Sequence, residues 1–136
     1  MPTNQILASA LLTSEDSSVN FDKRILVVED NALTASAIKM VLEWEGYDVD
    51  CAANGQEALN HLRQSEEKPD LILLDMSMPV MDGQQFRDEQ KHDPAINDIP
   101  VVVVSVADLA TSLDASGYIH KPFPPKKLLE TIRHQT

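Results

Sequence analysis

The chain has 136 residues, enough for one domain that buries a core without disulfides or structural metals, and too few for a second folded domain. Its 22 acidic against 11 basic side chains leave a formal charge of −11, which argues against the clustered Lys and Arg that a nucleic-acid backbone demands and favours a protein or cationic partner. Cys51 is the single cysteine, so no internal disulfide forms, and no apolar run nears the ~20 residues of a membrane-spanning helix, which makes a cytoplasmic chain with no membrane partner the expectation.

Residues 1–22 stand apart from the rest. They are rich in Ser, Thr and Asn around a short apolar stretch at 6–12, and they lack the basic flank of a secretion signal. They read as a mobile N-terminal arm. Ile6, Ala10 and Leu11 would share one side of a helix, a one-turn patch that is marginal by itself. From Lys23 onward, residues 23–136 carry a regular alternation of short β-branched or Leu-rich runs with longer amphipathic ones.

The run 24–28 predicts a strand, and 32–45 a helix stopped by Gly46. Trp44, the last apolar position of that helix, reads as core. A second strand follows at 47–52, where alternation puts Tyr47, Val49 and Cys51 on one face and makes Cys51 a small buried thiol. A second helix is expected over 55–67 and a third strand over 70–74, apolar at four consecutive positions and therefore covered on both faces. A helix near 84–91 precedes 99–104, whose four consecutive valines form the strongest strand pattern in the chain. A short helical stretch at 107–115, a strand at 118–120 and a helix over 125–134 complete the series. Five strands alternating with five helices imply a doubly wound α/β sandwich on a parallel sheet, because parallel neighbours need right-handed crossover connections.

Ligands of such sheets bind beyond the carboxyl ends of the strands. There the sequence places Glu29 and Asp30 after the first strand, Asp75 after the third, Ser105 after the fourth and Lys121 after the fifth. Three carboxylates in one crevice repel, two unit charges about 4 Å apart costing on the order of 4 kcal/mol at an effective dielectric of 20. Lys121 offsets one charge. A hard divalent cation with oxygen ligands, Mg²⁺ or Mn²⁺, would offset the rest.

Taken together, Val27-Val28-Glu29-Asp30-Asn31, the run from Leu73-Leu74-Asp75 through Pro79 to Asp82-Gly83, and Tyr118-Ile119-His120-Lys121-Pro122-Phe123 resemble the response-regulator receiver domain of the CheY-like kind. The resemblance covers 23 to about 134. It implies a five-stranded flavodoxin-like sheet of order 2-1-3-4-5 and a phosphoacceptor switch rather than an enzyme with a released product. Asp75 would take the phosphoryl group from a sensor histidine kinase or phosphotransfer protein. Asp30, Asp75 and the backbone carbonyl of Ser77 would bind the metal directly and Glu29 through a water. Lys121 and Ser105 would contact the phosphoryl oxygens, Tyr118 would change rotamer on activation, and the Lys121-Pro122 bond would be cis. Asp82 reads as a turn or cap residue rather than a ligand, and His61, His92, His120 and His134 share no metal-ligand spacing.

Three departures from the family pattern stand out. Glu29 replaces the commoner Asp, Val106 stands where receivers carry a small Ala, and Ser105 and Lys121 are only 16 positions apart. The last leaves 11 residues between the fourth and fifth strands, close to the minimum for a parallel crossover, so the fourth helix is expected to be shortened. With no effector domain in the sequence, a stand-alone switch signalling to an unknown output protein is expected. The alternatives are a phosphorylation-independent pseudo-receiver acting as a binding module, and a small-molecule phosphatase, which would want a second acid–base carboxylate that Met76-Ser77-Met78 does not supply.

Overall fold

A computed structural model describes residues 23–76, 83–106 and 115–136. Their elements are β1 (Arg24–Val28), α1 (Ala32–Trp44), β2 (Asp48–Ala52), α2 (Gly55–Gln64), β3 (Leu71–Asp75), α3 (Gly83–Lys91), β4 (Val101–Ser105), β5 (Gly117–His120) and α4 (Pro125–Gln135). All strand pairs are parallel and the order is β2-β1-β3-β4-β5. The predicted doubly wound sheet is therefore present, with four helices among the described residues. The shortened helix expected at 107–115, the arm at 1–22, and Ser77, Pro79 and Asp82 fall outside them, Ala115 excepted.

Alternation along the central strands divides the core in two. Ile25 and Val27 of β1, Leu71 and Leu73 of β3, and Val102 and Val104 of β4 face α1 and α4, where they meet Ile38, Leu42, Leu128 and Ile132. Leu26, Val28, Ile72, Leu74, Val101 and Val103 point the other way, toward Leu59 and Leu62 of α2 and Phe86 of α3. Such two-sided burial is what a continuous apolar run in a parallel strand signifies. Gln90 is a polar exception away from the strand ends: fully buried, its amide donates to the carbonyls of Ile96 (2.9 Å) and Ile99 (3.0 Å) and ties the segment leading into β4 beneath α3.

The local signals that set the helix ends are chemical. Asn31 caps α1 by accepting from the Thr34 N–H (2.9 Å), and Asn54 caps α2 by accepting from Glu57 (2.9 Å) while the Glu57 carboxylate reaches back to the Ala53 N–H (3.1 Å). At the other end of α1, Gly46 adopts φ 98°, its N–H bonding Glu43 and the Tyr47 N–H bonding Leu42. That pair of bonds is a Schellman stop, for which glycine is favoured because a Cβ strains this backbone.

Two expectations about burial fail. Trp44 is 87% exposed rather than core, because it lies two residues from Leu42 and so about 200° around the helix from the buried stripe. Cys51 is exposed, since β2 is an edge strand and the polar side of α1, with Lys39 and Glu43, lies nearest to it; the partial covering that remains pushes the thiol's pKa up. The second helix also ends at Gln64 rather than 67, Ser65 turning into extended backbone.

Candidate functional site

Strand direction brings the sequence-predicted residues together. Glu29 and Asp30 follow the last residue of β1, Asp75 ends β3, Ser105 ends β4 and Lys121 follows β5. The ladders run one step past the strands: the Glu29 N–H donates to the Ala52 carbonyl (3.0 Å), the Met76 N–H to Val104 (3.2 Å) and the Lys121 N–H to Ser105 (2.8 Å). These bonds hold the backbone beneath the site. The Lys121-Pro122 bond is cis, as the resemblance implied.

Glu29 and Asp75 are buried and Asp30 is exposed, and one carboxylate oxygen from each lies within 4.8 Å of the others. Lys121 Nζ stands 3.2 Å from Glu29 Oε1 and 3.5 Å from Asp75 Oδ1. A cavity of about 290 Å³ opens above them, walled by Ser105, Val106, Asn31 and Thr34 besides the charged residues. Three carboxylates against one ammonium leave a doubly negative, all-oxygen donor set. That fits a hard divalent cation, which takes oxygen ligands and keeps waters where the protein leaves positions open.

Burial pushes the Glu29 carboxyl above the ordinary glutamate range; the Asn31 N–H, donating to it at 3.2 Å, opposes this, the Asp75 charge adds to it and Lys121 opposes it. A carboxyl that holds its proton more tightly when folded stabilises the fold fully below its ordinary value near 4.5 and loses that contribution as pH rises through the raised value. Glu29→Gln, which never ionises, should gain on the wild type across that range. Without divalent cation the gain at neutral pH should reach about 1 kcal/mol, ordinary for one substitution. Urea denaturation in chelator at a series of pH values measures it; an advantage of Gln that grows as pH falls would contradict the assignment.

Sequence reasoning missed two contributors. Asn31 both caps α1 and donates its N–H to Glu29, and Thr34, one turn into α1, lines the cavity. An Asn directly before a helical run was the available signal for the cap. Gly83 supports the site from below: a Cβ there would sit 2.9 Å from Met76 Cα and 3.0 Å from the Asp75 carbonyl. Val106 is 71% exposed at the cavity wall, and Tyr118 packs half-buried against the core on the α2–α3 side. The four histidines join no acidic cluster among the described residues; His61 pairs with Asp50 at 3.4 Å and His92 Nδ1 lies 2.8 Å from the Asp88 carbonyl.

Comparison with known proteins agrees with this geometry. The model of the response regulator receiver domain family matches residues 25–133. A probable transcriptional regulator, ycf27, of Guillardia theta is 36% identical over 124 residues, covering 87% of this chain and 47% of its own length. Among solved structures, the receiver domain of a signal transduction histidine kinase from Syntrophus aciditrophicus superposes with a TM-score of 0.77 at 30% identity, over 83% of this chain and 89% of its own. The response regulator TrrA of Thermotoga maritima, solved with Mg²⁺ and BeF, gives 0.75 at 30% identity over 84% and 99%. The chain thus spans about half of the curated relative, a regulator of transcription. The expectations of a stand-alone chain and of no nucleic-acid partner find no support there. Among the described residues, no helix is long and apolar enough to cross a membrane.

Proposed function

Because the chain belongs to the response regulator receiver domain family of two-component signalling, we propose that Asp75 is its phosphoacceptor and that the acidic cluster works with Mg²⁺. The observation that carries this reading is Lys121 Nζ lying between Glu29 (3.2 Å) and Asp75 (3.5 Å) beside three carboxylates that meet within 4.8 Å. Asp75 attacks the phosphorus of a phosphohistidine on a sensor kinase or phosphotransfer protein. The Asp75 O–P bond forms as the P–N bond breaks, leaving an acyl phosphate. Lys121 pairs with the phosphoryl oxygens and Ser105 donates its hydroxyl to one of them. Asp30, Asp75 and the Ser77 carbonyl would hold the cation, with Glu29 acting through a water, and the cation would supply positive charge against the phosphoryl oxygens. Tyr118, on the strand that leads to Lys121, carries the change toward an output protein, and the signal leaves through protein contacts.

The test is a Mg²⁺ titration. Asp30→Asn should weaken binding at least about tenfold, roughly 1.4 kcal/mol, and labelling by a small phosphodonor should stop in chelator; equal affinity in the variant would remove Asp30 from the ligand set. Val106 at the cavity wall favours one second reading, a pseudo-receiver that works without phosphate. In that case no labelling occurs at any Mg²⁺ concentration.

A further inference from the structure

α1 is apolar around most of its circumference. Its inner side buries Ala35, Ile38 and Leu42. On the outer side Leu33, Met40 and Trp44 are 84%, 69% and 87% exposed, with exposed Ala37 between them. Positions 33, 37, 40 and 44 advance by four, three and four, the spacing of a seam against which a second helix packs. Ser36, Lys39 and Glu43 supply the one polar strip. Single exposed apolar side chains are ordinary, but a helix apolar all round is normally a covered one. Alongside the seam, a groove of about 370 Å³ between α1 and α4, lined by Leu33, Ala37, Val41 and Phe123, continues the apolar surface.

We propose that the chain's own residues 6–12 cover this seam. The segment is apolar at Ile6, Leu7, Ala10 and Leu11, a helical repeat with the same pitch as the seam, and no charged side chain precedes Glu15. Its point of attachment is close by. The Asp48 N–H, four residues beyond Trp44, donates to the Lys23 carbonyl at 3.0 Å, so the N-terminal segment leaves from the Trp44 end of the seam. Residues 33–44 rise about 17 Å along the helix, and the connecting residues 13–22 reach up to about 33 Å when extended, enough to lay 6–12 anywhere along it. A one-turn helix has little stability alone and gains it by packing on such a surface. The tether also sets an effective concentration on the order of 1 mM, so that a segment with a free dissociation constant of about 0.1 mM covers the seam roughly nine-tenths of the time. A second copy has no such tether and brings another net charge of −11 against the first.

Trp44 is the only tryptophan, so the seam reports on itself. In the full chain its emission should be blue-shifted and several-fold less quenched by acrylamide than in Leu7→Asp/Leu11→Asp, at every protein concentration, with the far-ultraviolet dichroism of the folded unit retained in both. Emission and quenching of a fully solvated tryptophan in the unsubstituted chain would overturn the proposal. Shielding that grows with concentration alongside a dimer in sedimentation would overturn it in favour of a second copy. Shielding that persists unchanged in the double variant would do so in favour of another part of the chain. None of these readouts depends on phosphorylation, so the result stands apart from the assignment of Asp75.

Discussion

Intact mass after exposure to a small acyl phosphate and Mg²⁺ should rise by one phosphoryl group in the wild type and not at all in Asp75→Asn. The Asp75 carboxylate is the one at the end of the central strand β3, and it has Lys121 Nζ at 3.5 Å and the carboxylates of Glu29 and Asp30 within the same 4.8 Å cluster. An amide keeps the shape but offers no anionic oxygen to attack phosphorus, so the loss should be complete rather than graded. Asp30, exposed at the rim, and Glu29, already engaged by the Asn31 N–H and Lys121, are poor substitutes as nucleophiles. Lys121→Ala should behave differently. It removes a charge that stabilises the transferred group but leaves the nucleophile, so labelling should slow by about a hundredfold, the size of losing one preorganised donor, and the conformational response to phosphate should vanish because the ion pair links the new charge to β5. Labelling that survives Asp75→Asn would place the acceptor elsewhere.

Gly83→Ala should lower the unfolding free energy by about 3 kcal/mol, at the upper end for overpacking, and slow phosphorylation as well. The first residue of α3 lies against the strand that carries the acceptor: its N–H donates to the Met76 carbonyl at 3.4 Å, and an added methyl would meet Met76 Sδ at 2.7 Å, Met76 Cα at 2.9 Å and the Asp75 carbonyl at 3.0 Å. The thioether can swing away. The two backbone atoms cannot, so either α3 or the end of β3 has to move, and β3 is buried along its whole length. Out of a total of roughly 5–15 kcal/mol for a domain, such a loss shows as a clear drop in denaturation midpoint at unchanged slope. A midpoint and labelling rate equal to the wild type would mean that the close approach is not maintained in solution.

How far the residues alone lead differs from element to element. The strands follow from runs such as Leu71 to Leu74 and Val101 to Val104, whose two-sided apolarity suits a covered parallel sheet, while their order is what the family resemblance implied. The starts of α1 and α2 carried a signal that the sequence reading did not use, the capping Asn31 and Asn54, whereas the end of α1 was legible from Gly46, which occupies a left-handed backbone. Glu29, Asp30, Asp75, Ser105 and Lys121 are legible as one group because each falls at the carboxyl end of a strand and parallel strands bring those ends together. The end of α2 was less legible: 65–67 continue a polar pattern compatible with helix, and only the turn of Ser65 into extended backbone, with Lys68 Nζ on the carbonyls of Leu62 and Ser65, ends it at Gln64.

What the sequence determined by itself is the kind of sheet, the ends at which chemistry gathers and the carboxylate and lysine types found there, since these follow from local periodicity and from the geometry common to every parallel α/β sheet. The tertiary structure decided burial and contact. Trp44 is an apolar residue at the end of an apolar helix, and only the angle at which α1 lies on the sheet turns it outward. Cys51 alternates correctly with Val49, yet its strand stands at the edge, where cover runs out. Gln90, polar in a polar helix, becomes fully buried because two carbonyls from the segment before β4 meet it there. In each case the deciding quantity is which surface another element happens to cover, and that depends on residues distant along the chain, so no local pattern contains it.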